Sequence, residues 1–88
     1  MIRVLEGQDF ATPQDFVEAL NKARLANRKQ WIFYIGQVAG HEVQIKTFDI
    51  GDLQILRVDG RDFRNKEYGM NVGQWKAEIV ERIELACR

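Results

Sequence analysis

The chain has 88 residues and a mass of 10.3 kDa, enough for one domain, and its 45% hydrophobic and 30% charged residues are those of an ordinary globule. Lys+Arg and Asp+Glu number 13 each, so the net charge is zero, which argues against a protein that coats a polyanion. The longest apolar run, Trp31 to Ile35, is too short to span a bilayer. The first residues show no apolar signal region, and a single Cys allows no intrachain disulfide, so a reducing cytoplasm is expected.

Ile2 to Leu5 alternates weakly and ends before Gly7, as a short strand does. Thr12-Pro13-Gln14-Asp15 is a helix start, with Thr12 as cap and Pro13 in the first turn. Phe16, Val17, Leu20 and Ala23 form its apolar face. Lys22, Arg24, Arg28 and Lys29 suit its carbonyl end, which falls near Asn27 to Lys29.

Trp31 to Ile35 is aromatic and β-branched, hence a strand. A three-residue loop at Val38-Ala39-Gly40 pairs Ile35 with Val43, Phe33 with Ile45 and Trp31 with Thr47, and sets those six toward the core. An even-length turn at Ile50-Gly51, or Asp49 to Asp52, then places Phe48 opposite Leu53 and Leu56 and Val58 in the core. Asp59-Gly60 is a two-residue turn into a short strand near Arg61 to Phe63. Asn71 and Gln74 open a last helix with Val72, Trp75, Ile79 and Ile83 on its buried face. Glu78–Arg82 and Glu84–Arg88 are spaced as ion pairs on its solvated face. The expected fold is α+β: an antiparallel meander of three to four strands, order β-α-β-β-β-(β)-α, with both helices on one face.

The chemistry-bearing residues are few. The chain has no Ser, and its His, Cys and Thr are limited to His41, Cys87, Thr12 and Thr47. A serine triad is impossible, no zinc set is present, and Asp49 to Asp52 and Asp59 to Asp62 lack the carboxylate density of a calcium loop. His41 is expected solvated in its turn and Cys87 inert. The expectation is a non-enzymatic protein with no metal or cofactor.

Surfaces carry the functional reading. With helices on one face, the predicted second face holds Ile32, Tyr34, Lys46, Phe48, Leu53, Ile55 and Arg57, a patch suited to a protein partner or a second copy. Stoichiometric occlusion of a partner follows, as in an inhibitor of a host factor or defence complex made by a phage or mobile element, an analogy of size and missing chemistry. The alternative is nucleic-acid contact through a basic edge of Arg57, Arg61, Arg64 and Lys66 with Tyr68.

Overall fold

The computed structural model describes residues 1–49, 52–64 and 69–87, with Arg64 described in its backbone alone. Helix α1 spans Pro13–Ala26 and helix α2 Val72–Ala86. Each starts on its predicted cap. The Thr12 hydroxyl accepts from the Asp15 amide at 3.1 Å. Asn71 and Gln74 exchange both capping-box bonds, at 2.9 and 3.2 Å.

The strands are β1 (Ile2–Arg3), β2 (Trp31–Val38), β3 (His41–Phe48), β4 (Asp52–Val58) and β5 (Arg61–Arg64). They form one sheet in the order β1-β2-β3-β4-β5. β2 to β5 are the antiparallel meander, and β1 adds a short parallel edge strand. The class is the α+β expected, with five strands in place of three to four.

The β2–β3 turn sets which side chains reach the core. Val38 pairs with His41, so the loop is the two residues Ala39 and Gly40, with φ of 52° and 80°. Left-handed backbone at both positions matches the twist of a tight hairpin. The expected three-residue loop is therefore corrected by one residue, and one residue flips a strand. Ile32, Tyr34 and Val38 turn to the helices, each at most 1% exposed. Trp31, Phe33 and Ile35 turn away from them. Tyr34 faces Ile45 and Ile32 faces Thr47.

The β3–β4 connection departs from expectation in length and is compensated. Phe48 pairs with Asp52, leaving three residues between them; Ile50 and Gly51 lie outside the described residues. Thr47 then pairs with Leu53 and Lys46 with Ile55, so Gln54 is the extra residue of a bulge. The three-residue connection turns Leu53 into the core opposite Thr47, and the bulge restores the frame: Leu56 and Val58 lie beside Ile45 and Val43, as predicted.

The core joins one sheet face to both helices through Phe16, Val17, Leu20, Trp75, Ile79 and Ile83. Val72 of the predicted helix face is exposed. Two polar devices sit in this layer. The buried Trp75 indole donates to the Thr47 hydroxyl at 2.9 Å, and Thr47 donates to the Asp52 carbonyl at 2.5 Å. Arg24, in the last turn of α1, is 2% exposed. It donates to Asn21 and, at 3.0 Å, to Asp49, which also binds Arg28 at 2.8 Å. That cluster fixes the end of α1 to the end of β3. The outer helix surface is solvated, with Lys76–Glu18, Glu78–Arg82 and Gln14–Glu84 contacts. Arg88, the expected partner of Glu84, lies outside the described residues.

Candidate functional site

Residues directly opposite in a sheet share a face, so the register assembles the side of the sheet away from the helices row by row. One row runs Trp31, Phe48, Asp52. The next runs Arg3, Phe33, Lys46, Ile55 across four strands. A third runs Ile35, Gln44, Arg57, Asp62. Gln37 and Glu42 close the far end.

The first two rows interlock. The Trp31 and Phe48 rings lie 5.2 Å apart, and Lys46 Nζ sits 5.3 Å from the Trp31 ring centre. The Arg3 guanidinium lies 5.9 Å from the Phe33 ring. Ring quadrupoles hold both cations there. Trp31, Phe33, Phe48 and Ile55 are half-buried, and Ile35 is 43% exposed. Arg57 is bound to Asp62 at 2.5 Å. A groove of about 240 Å³ beside β1, lined by Arg3, Val4, Glu6, Gly7, Phe33 and Ile35, extends the face.

Of the predicted docking residues, Lys46, Phe48, Ile55 and Arg57 lie on this face. Ile32, Tyr34 and Leu53 do not: the two-residue β2–β3 turn and the three-residue β3–β4 connection carry all three into the core. Sequence reasoning missed Trp31, Phe33, Ile35 and Arg3. The signal available was Ala39-Gly40 read as a two-residue turn.

The predicted basic edge is split by strand alternation. Arg61 pairs with Val58, on the helix side of the sheet, and lies over Phe63 at 5.0 Å. Arg57 is on the opposite side, held by Asp62. Lys66, Tyr68 and the Arg64 side chain lie outside the described residues.

His41 acquires a partner that sequence reasoning did not supply. Its Nδ1 lies 2.6 Å from the Asp59 carboxylate, which also accepts from the Glu42 amide at 3.1 Å. The His41 hydrogen bond is the main cause holding the Asp59 carboxyl below its ordinary range. Cys87 is exposed, and its thiol is pushed up by desolvation and then by Asp59 and Glu84, the direction opposite to an activated nucleophile. Among the described residues no group of three or more His, Cys, Asp or Glu is placed to hold a metal, and no helix is long and apolar enough to cross a membrane.

No protein-family model, curated protein or solved structure matches the chain.

Proposed function

We propose that this protein is a non-enzymatic interaction module that acts by covering a protein partner with the open face of its sheet. One observation supports the reading most: Trp31, Phe33, Ile35, Phe48 and Ile55 share the side of the sheet away from both helices over three strands, with Lys46 set among them. Contiguous apolar surface rimmed by polar groups marks interfaces, and Trp and Arg are the residues that anchor them. The rigidity of a five-stranded sheet adds to this, because a preformed surface loses little freedom on binding. The reading places the protein in the cytoplasm, in keeping with its single cysteine. Stoichiometric blocking, as by an inhibitor of a host factor or defence complex, is the activity such a surface suits.

The test is an affinity capture from the native source with three tagged proteins. Wild type and Arg61→Glu are expected to retain one partner in fixed ratio. Trp31→Ala with Phe48→Ala is expected to lose it while keeping the far-ultraviolet dichroism of the fold. Capture lost in Arg61→Glu and kept in the double variant overturns the reading in favour of the β5 edge.

A further inference from the structure

We infer that the partner seated on the open face is an acidic protein segment, presenting carboxylates on either side of an apolar anchor. The inference rests on the docking reading above and adds the chemistry of the occupant.

The row Arg3, Phe33, Lys46, Ile55 crosses the middle of the apolar surface. Its two cations stand two strands apart, roughly 10 Å, with Phe33 between them. Neither is ion-paired among the described residues; their contacts are with the rings of Phe33 and Trp31. Arg57 differs, since Asp62 already satisfies it. The remaining carboxylates sit off that row, Asp52 opposite Phe48 at the start of β4, Glu42 in the end row and Glu6 in the groove beside β1.

A partner that buries Phe33 and Trp31 must also take Arg3 and Lys46 out of water. Removing a charge from water without a counter-charge is strongly unfavourable. Carboxylates supplied opposite those two positions remove that cost and fix the register of docking. The groove lined by Arg3, Phe33 and Ile35 offers room for an apolar side chain next to one of them.

The same geometry disfavours two other occupants. A second copy docked face to face about a two-fold axis through the centre of the sheet sets Lys46, on the central strand, close to its own symmetry mate. A single-stranded nucleic acid needs free ring faces for its bases and a row of cations for its phosphates. Here cations already cap the Trp31 and Phe33 rings, and two cations are unpaired.

The experiment is selection of a displayed random peptide library on immobilised wild-type protein, with Trp31→Ala as counter-target. Peptides that depend on Trp31 are expected to carry Asp or Glu flanking an apolar residue. A synthesised binder is expected to lose more than about tenfold in affinity for Lys46→Glu or Arg3→Glu. A binder with one carboxylate changed to Lys is expected to recover on Lys46→Glu. Trp31-dependent binders that are neutral or basic, and indifferent to Lys46→Glu, overturn the acidic occupant and leave the docking reading standing. Selection that yields no Trp31-dependent peptide overturns both. Oligo-deoxythymidine binding abolished by Lys46→Glu, or a dimer in sedimentation abolished by Trp31→Ala, overturns the inference in favour of that occupant.

Discussion

The phenol of Tyr34 lies over the backbone of Gly36, in space that a side chain at residue 36 would fill: a methyl group built there overlaps the phenolic oxygen and ring. The hydroxyl then donates to the Gln8 carbonyl at 2.8 Å, tying the loop after β1 to the middle of β2. Phe10 and Phe16 close the other sides of the ring, 6.1 and 4.8 Å away. A glycine inside a strand ordinarily weakens it. Here it makes room for the aromatic side chain two residues before it.

Gly36→Ala is therefore expected to destabilise the fold by ~1–3 kcal/mol, the cost of overpacking a filled site. Tyr34→Phe is expected to cost ~0.5–1.5 kcal/mol through the lost hydrogen bond. The double variant is expected to cost less than the sum, because removing the hydroxyl removes part of the overlap. Urea unfolding of the four proteins checks this; strict additivity disproves the contact.

Burial of Tyr34, and secondarily the nearby Asp9 carboxylate, push its phenol from the ordinary 10.0 to about 12. The fold thus favours the neutral phenol. Its contribution is fully present below pH 10 and is lost as pH rises toward the folded value of about 12. In a Tyr68→Phe background, phenolate absorbance is expected to develop together with alkaline unfolding and well above pH 10. A reversible titration near 10 in folded protein contradicts the buried placement.

Asp49 collects Arg24, Arg28 and the Lys29 amide, and the Arg24 side chain is 3% exposed. Removing one partner of a buried pair strands the other, at ~3–5 kcal/mol. Asp49→Ala is expected to lose about that much stability, and Arg28→Ala, at an exposed position, under ~1 kcal/mol. Similar losses in thermal unfolding for the two variants would refute the hierarchy.

Local signals were readable and distant ones were not. Thr12-Pro13 and Asn71…Gln74 marked both helix starts because a cap is written within four residues. Val43 and Ile45 are placed in the core correctly because polar residues alternate with them, and Leu56 and Val58 because Arg57 lies between them. Trp31 to Ile35 is apolar on both faces, so its pattern cannot say which set is inward, and the turn alone sets the frame. Hence Phe48, Ile55, Lys46 and Arg57 were found on the open face while Ile32 and Tyr34 were exchanged for Trp31 and Phe33. Leu53 is misplaced because the β3–β4 connection has three residues where an even number is expected, and nothing local announces the bulge at Gln54 that compensates it. Arg24 reads as a cation suited to the carbonyl end of α1, and its burial beside Asp49, 25 residues away, has no local signal.

The Trp75 indole, the Thr47 hydroxyl and the Asp52 carbonyl form a chain of two hydrogen bonds through the core. Thr47→Val keeps the shape and removes the middle of the chain. It leaves a buried indole N–H without an acceptor, at ~1–3 kcal/mol. Thr47→Ser is expected to retain the indole bond. The Trp75 indole proton in NMR reports the difference: its exchange with solvent is expected to quicken in the Val variant and stay slow in the Ser variant.

Ala39 holds φ at 52°, a left-handed conformation that strains an alanine and suits asparagine. With Gly40 at 80° it forms a two-residue hairpin turn whose favoured sequence is Asn-Gly. Ala39→Asn is therefore expected to stabilise the protein by ~1 kcal/mol, relieving left-handed strain without altering a contact in the core. A three-residue loop at Val38 to Gly40 makes the opposite prediction, because its alanine need not be left-handed and Val38 would leave the core. Denaturant midpoints for Ala39→Asn and Val38→Ser separate the two frames. Stabilisation by the first and a loss of more than ~2 kcal/mol by the second, through burial of an unpaired hydroxyl at a fully buried position, require the frame that puts Trp31 and Phe33 on the open face.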